Sequence, residues 1–392
     1  MARNKKERTE LKQNKSEFKF IGKVTNADKD GFFVEDEAKS GQNEGRLFRK
    51  MKFGIRTSET NTLQVQMYAY EPTEVFLWNS EKKKEDSEFK GLRIPYEEWL
   101  ESADEYRAEG YTAPQARVGL EFGEDGKVMS HGVPDYQLAD ILSENVENGD
   151  LLKIEGEIRY NKFQNQAKEW VEQVQWTIKR VHVVREEDLT KEDAEEMNYF
   201  SQEFVFIDAE HIKKEKKTIV TGRVIDFRKK WYDKQFEVVY KDSEGNEDAE
   251  LKELATGLAK EVKFGDVLTV WGYAVNRIIT TNEKSEEEKK EDKRKKNLLS
   301  GLGGKAQPKH AEKFTGTRFE SGLQIQGVID WQEGVYDEDD FPNQELIQEE
   351  DTSSKKASGL GGKKSKTANP FAKKKEEEEN PLEGIDEDDL PF

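Results

Sequence analysis

Asp386-Glu387-Asp388-Asp389-Leu390-Pro391-Phe392 closes the chain with four consecutive carboxylates running into an apolar Leu-Pro-Phe. Such a segment repels itself and has almost nothing to bury, so it is expected to fold only in the grip of another molecule. Phe392 fits an apolar pocket, its α-carboxylate suits an Arg or Lys, and the preceding acids suit a basic rim. This is partner-binding chemistry. Catalytic constellations do not emerge elsewhere. The absence of cysteine removes disulfides, thiolate nucleophiles and zinc–thiolate sites. His131, His182, His211 and His310 are scattered without ligand spacing. Gly303-Gly304-Lys305 and Gly361-Gly362-Lys363 lack the upstream glycine of a phosphate loop. Asn26-Ala27-Asp28-Lys29-Asp30-Gly31 nearly fits a calcium loop, but its flanks read as strands, so a polar hairpin turn is expected. No enzymatic activity, cofactor or metal is expected.

The charge is unevenly spread. The formal net charge of the 392 residues is −19, which taken alone argues against nucleic acid. From Gln332 onward, however, about 18 acids face about 8 bases, so roughly half of that charge sits in the tail. The opening residues run the other way, with Arg3, Lys5, Lys6, Arg8, Lys12 and Lys15 forming a basic arm over residues 1–16. An apolar fraction of 33% against 38% charged predicts that much of the chain never packs. No apolar run approaches the ~20 residues that span a bilayer, and no signal-peptide core is visible. A soluble, cytoplasmic protein is expected, in a bacterial cell or in the host cytoplasm if the protein comes from a bacteriophage.

The elements that must position the chemistry are mostly strands. Phe18 to Val24 is one, and Leu63 to Tyr70 alternates strictly, with Leu63, Val65, Met67 and Ala69 on one face. Val75 to Trp78 extends that strand. Residues 80–130 read as a charged insertion. A helix from Tyr136 to Val146 follows Pro134 and ends at Asn148-Gly149. Residues 150–163 and 170–184 form a long hairpin in which Trp176, in register with Val174 and Ile178, belongs to the core. A charged helix, residues 189–200, serves as a connector over 187–202, with Thr190 and Asp193 as its capping box. A second β-rich block occupies 203–335, with a helix from Ala249 to Lys260 and a disordered loop at 281–313; residues 336–392 form a disordered tail. Helix, Gly-Asp, then an apolar strand ending in Gly occurs twice, at 149–156 and 265–272, which predicts a duplicated domain. Thr221-Gly222-Arg223-Val224 is read as the counterpart of Ile21-Gly22-Lys23-Val24.

Three strands, a helix and two strands is the order of the OB-fold, a five-stranded Greek-key barrel. The expected fold is therefore mainly β: two OB-fold barrels, at 17–186 and 203–335, with insertions and an acidic tail. Gly149 to Phe163 resembles the fourth-strand region of bacterial and bacteriophage single-stranded-DNA-binding proteins, where it leads into a DNA-clasping hairpin. The terminal Asp-Asp-Leu-Pro-Phe resembles the acidic tip of the same family, which recruits replication and repair enzymes. The two barrels in one chain leave monomer and homodimer both open.

Gripping single strands requires cations for phosphates and aromatic faces for bases, the latter contributing ~1–3 kcal/mol each. The outward-facing candidates are Tyr68 and Tyr70, then Arg159, Lys162 and Phe163 with Trp170 across the hairpin. Trp271 and Tyr273 join them in the second domain, together with Arg228, Lys229, Lys230, Trp231 and Tyr232, placed in its strand 1–2 loop. The combined expectation is a non-enzymatic protein that binds and protects single-stranded DNA with little base preference during replication, recombination and repair. It recruits partner proteins through Asp386–Phe392. An OB-fold RNA-binding accessory protein and a recombination or annealing mediator fit the same residues.

Overall fold

The computed structural model describes residues 9–39, 43–164, 170–190, 193, 197–242, 245–281 and 316–341; side chains at 162–164, 170–172, 278–281 and 316–320 lie outside that description. The architecture is mainly β, with one large sheet.

The first circuit of strands begins with β1 (Ser16–Thr25), which carries a small outer strand β2 (Phe33–Glu37) in the loop that follows it, then β3 (Leu47–Arg56) and β4 (Thr62–Tyr70). Each strand alternates, and the inward positions Phe18, Phe20, Met51, Phe53, Val65 and Met67 are buried. After β4 the chain departs into an added module: β5 (Glu74–Leu77), α1 (Ser80–Glu85), β6 (Leu92–Pro95) and α2 (Tyr96–Ala108). β5 does not extend β4; it pairs with β6 in a separate two-stranded sheet. Trp99 and Tyr111 close a small core there, together with Val75, Leu77 and Tyr136. β7 (Ala116–Phe122) and β8 (Val128–Val133) follow, and β7 pairs parallel with a later strand of the main sheet. The region expected as a charged insertion thus contains a packed module and a main-sheet strand.

α3 (Asp135–Asn145) then plugs the barrel with Leu138, Ala139 and Leu142. The circuit closes through β9 (Leu151–Gln164) and β10 (Trp170–Val183). β1 pairs with β3 and β9, β3 with β4, β4 with β10 in parallel, and β10 with β9. That closed order, with a helix between its third and fourth strands, is the OB-fold order. Trp176 sits in this core, edge-on to Phe18 and Phe20 at 5.4 and 4.8 Å.

The helix expected over 189–200 yields by Asn198 to β11 (Asn198–Ile212), because Asn198 to Gln202 pairs with β1. β12 (Lys217–Ile225), β13 (Trp231–Val239), α4 (Ala249–Lys260), β14 (Val267–Thr281) and β15 (Gly316–Gln332) complete a second circuit. β11 pairs with β12 and β14, β12 with β13, β13 with β15 in parallel, and β15 with β14. It has the same closed order as the first. The Asp248 side chain caps α4 by accepting the Leu251 N–H.

Packing continues past the expected boundary at 335. Tyr336 and Phe341 pack with Trp231, Val335 and Leu11 against the second barrel. The basic arm is also docked from Thr9. Asn14 bonds twice to Ile225, its N–H donating to the Ile225 carbonyl and the Ile225 N–H donating to its Oδ1 (2.9 and 2.7 Å).

The two circuits match residue by residue. In the first, Val24 donates to the Asp150 carbonyl and Gly149 donates to the Val24 carbonyl; in the second, Phe206 stands in the same relation to Asp266 and Gly265. Asp150 and Asp266 each turn a carboxylate back onto the N–H three residues earlier, at Glu147 and Lys263 (2.8 and 3.0 Å). Gly149 and Gly265 both hold a left-handed φ, +101° and +89°. Seven residues on, a Cβ at Gly156 would strike the Thr177 carbonyl and one at Gly272 the Gln324 carbonyl. Thr221-Gly222, by contrast, belongs to β12 and is not the counterpart of Ile21-Gly22 in β1. The true counterpart of Val24 is Phe206.

Candidate nucleic-acid interface

β1 and β11 pair antiparallel, so β10, β9, β1, β11, β14 and β15 form one continuous antiparallel sheet across both barrels. Phe18 and Phe200 point into the barrels, and the alternate residues Glu17, Lys19, Tyr199, Trp271 and Tyr273 lie on the sheet's opposite face. Trp271 and Tyr273 are half-buried there, while Val270 and Ala274 are buried inside. Tyr199 and Trp271 are nearly parallel, their ring centroids 6.3 Å apart, and Tyr273 stands edge-on to Trp271 at 6.1 Å. The Lys19 ammonium lies 5.7 Å from the Tyr199 ring centroid.

Two clefts that share Ser16 and Glu157 open along this face, and Glu17, Lys19 and Glu155 line the first of them. One, of about 830 Å³, runs between β1, β9 and the segment Thr112–Arg117, with Lys179, Arg180 and Tyr199 on its walls. The other, of about 530 Å³, separates the outer half of β9 from the β12–β13 turn of the second barrel. Arg159, Tyr160, Lys15, Phe227, Arg228 and Tyr232 line it. Tyr232 stacks near Tyr160 (6.4 Å, 29°), and Lys234 lies over both rings.

The turn is built by Asp226, whose Oδ1 accepts the N–H groups of Arg228 and Lys230 (2.9 and 2.8 Å). Lys229 takes the left-handed conformation, φ 61°, and its ammonium pairs with Glu10 at 2.6 Å. Burial pushes the Asp226 carboxyl above the ordinary carboxylate range, against the pull of the two backbone donors and of Lys230 and Arg228. Phe227 is 46% exposed at the tip, with the Arg228 guanidinium 5.2 Å from its ring. A turn with a basic edge and an outward aromatic ring can meet both phosphate and base.

Several expected site residues are placed differently. Arg228, Lys229 and Lys230 lie between the second and third strands of their barrel, not in the strand 1–2 loop, since the first strand is β11. Trp231 is turned onto Phe341 (5.7 Å, edge-on), and Arg223 lies over both rings. Tyr70 is 6% exposed, beneath the Arg46 guanidinium. Tyr68 is half-buried and stacked on Phe48 at 5.0 Å. Neither tyrosine lines either cleft. Arg159 joins the cleft and pairs with Glu157 at 3.4 Å. The side chains of Lys162, Phe163 and Trp170, and the whole of Asp386, Glu387, Asp388, Asp389, Leu390, Pro391 and Phe392, lie outside the described residues. The loop expected at 281–313 does too, beyond Thr281.

Phe227 and Tyr199 were not among the expected residues. Phe227 had a local signal, an aromatic directly before the basic Arg228-Lys229-Lys230. Tyr199 had none, because it lay within the expected helix. Among the described residues, no cluster of His, Asp or Glu is gathered to hold a metal ion, and no helix is long and apolar enough to cross a membrane.

Comparison with known proteins gives a family and structural likenesses. A family model described as YorF matches residues 95–358, about two thirds of the chain. No curated protein matches. Among solved structures, a deletion mutant of the single-stranded DNA binding protein from Thermus aquaticus is similar at 12% identity, with 67% of this chain and 88% of that chain covered. Its TM-score is 0.33, too low for the likeness to carry weight.

Proposed function

The chain belongs to the YorF family, and we propose that it binds single-stranded DNA with little base preference and presents its acidic C-terminal residues to partner proteins. The observation that carries the reading is the cleft between the barrels. It combines cations from three separate segments, Lys15, Arg159 and Arg228, with the aromatic rings of Phe227 and Tyr232, the latter backed by the buried Tyr160. Cations track the phosphates in a salt-dependent way, and rings accept any base because every base has a π-face. The role in replication, recombination and repair, and the recruitment of partners by Asp386–Phe392, belong to the same proposal.

Titration of intrinsic Trp fluorescence with poly-dT at several salt concentrations tests it. Saturable, stoichiometric quenching that weakens as salt rises is the expected result. Poly-U of equal length is the comparison: a clear preference for it would move the reading to RNA. Absence of quenching at low salt, with residues 376–392 removed as well, would sink it.

A further inference from the structure

The residue-by-residue match of the barrels makes their outer faces directly comparable. Phe18 corresponds to Phe200, so Glu17 corresponds to Tyr199. Gly156 corresponds to Gly272, each seven residues beyond its left-handed glycine, so Glu155 corresponds to Trp271 and Glu157 to Tyr273. Where the second barrel carries three aromatic rings, the first carries three carboxylates. All six sit on the same face of the continuous sheet, on either side of the β1–β11 seam.

The rings form a surface. Tyr199 and Trp271 are near-parallel, Tyr273 braces Trp271 edge-on, and the indole lies against Gly327 of β15, where any Cβ would strike Nε1. The carboxylates do the opposite. Glu17 is exposed, and Glu155 and Glu157 retain 30% and 47% of their side-chain exposure although Arg180 and Arg159 approach them at 3.6 and 3.4 Å.

Building on the single-stranded DNA reading, we propose that the sheet face is a one-sided platform. Bases stack on Tyr199, Trp271 and Tyr273 of the second barrel, and Glu17 and Glu155 hold the strand off the matching patch of the first, while Glu157 is drawn to Arg159 at the edge of the cleft between the barrels. Equivalent seats on both barrels, related by the two-fold symmetry of the seam, would have to accept a strand running in opposite directions. Carboxylates at one of them leave a single seat and a single polarity. Lys19, at the seam, lies over the Tyr199 ring and pairs with Asp193 at 3.9 Å.

The test is fluorescence anisotropy of a labelled oligo-dT with the full chain and two variants. One is Trp271→Ala with Tyr273→Ala; the other is Glu17→Gln with Glu155→Gln, which leaves Glu157 and its partner Arg159 of the cleft untouched. The first is expected to lose roughly tenfold or more in affinity for each ring removed. The second alters only exposed or half-exposed positions, so it folds whether or not the first does, and it is expected to bind several-fold more tightly. Parental affinity in the aromatic variant, or unchanged or weaker binding in the glutamine variant, overturns the one-sided platform while leaving DNA binding by the chain intact. Failure of the parent chain to bind the oligo would overturn the underlying reading instead.

Discussion

Phe18 and Phe200 stand directly opposite one another across the β1–β11 pairing, and each holds the same place in its own barrel. Ser16 pairs with Gln202 and Phe20 with Asn198, so the pairing is symmetric about these two residues. The seam therefore joins the barrels through two phenylalanines that are also core residues, 2% and 0% exposed. Phe18→Ala and Phe200→Ala should each cost about 3–5 kcal/mol, the range for a large buried ring. Directly opposed side chains on one sheet face interact, so the double variant should depart from additivity by at least ~0.5 kcal/mol. Denaturant unfolding of the four proteins in the cycle measures this. Strict additivity would show that the barrels do not feel each other through this pair.

Asn14 acts as a missing piece of strand. Its backbone and side chain satisfy both polar groups of Ile225, and its Nδ2 donates to Glu203 at 2.9 Å. Asn14→Ala leaves the buried Ile225 N–H without its acceptor, a loss of about 1–3 kcal/mol. Thr9 and Lys12 should detach with it, since their N–H groups donate to Asp340 and to the Tyr336 hydroxyl. Hydrogen exchange should show faster exchange at Ile225 and over residues 336–341, with β3 and β4 unaffected.

Asp226 builds the β12–β13 turn at the expense of a negative charge inside a cleft proposed for phosphate. Its raised pKa means that the folded state holds the proton more tightly than the unfolded chain does. This contribution to stability is therefore fully present below the unfolded carboxylate pKa and is lost as pH rises through the folded value. Asp226→Asn keeps the Oδ1 acceptor for Arg228 and Lys230, so the turn should survive. Its stability should fall less over that acidic window than that of the parent. At neutral pH the variant should bind oligo-dT up to about fivefold more tightly, the ~1 kcal/mol of a unit charge pair about 4 Å apart in water. Weaker binding would mean that the charge at Asp226 helps to orient the cleft.

How much of the fold and the cleft was legible depended on whether the signal was local. The helix that leads through Gly149-Asp150 or Gly265-Asp266 into a strand was readable because one turn holds its whole logic: a left-handed glycine followed by a carboxylate that folds back onto its own loop. Trp176 was readable as core from its alternation with Ile178, although Val174, in the same register, is exposed. β11 was not readable, because Asn198 to Gln202 becomes a strand only by pairing with β1, far away in sequence. That one shift moved Arg228 to Lys230 into the wrong loop and hid Tyr199. Gly22 and Gly222 looked equivalent because both lie in Gly-basic-Val strands. A Cβ on the first would meet the Arg56 carbonyl and on the second the Phe204 ring, which are different packing problems solved by the same residue. The module around Trp99 was invisible for a related reason: its core draws Tyr136 from beyond β8.

The described chain ends near the cleft. Phe341, the last described residue, packs on Trp231 at the foot of β13, immediately after the turn that carries Arg228. The acidic residues beyond it are therefore linked to the chain beside the proposed DNA site. A polyanion on the same chain that reached the cleft would compete with phosphate intramolecularly. Removing residues 376–392 should raise affinity for oligo-dT at low salt. The gain should shrink as ionic strength shortens the Debye length from ~30 Å at 0.01 M to ~8 Å at physiological salt. Binding isotherms of the full and truncated chains across that range decide the matter. Parallel salt slopes with equal affinities would mean that the tail never occupies the cleft, and that its acids serve partners alone.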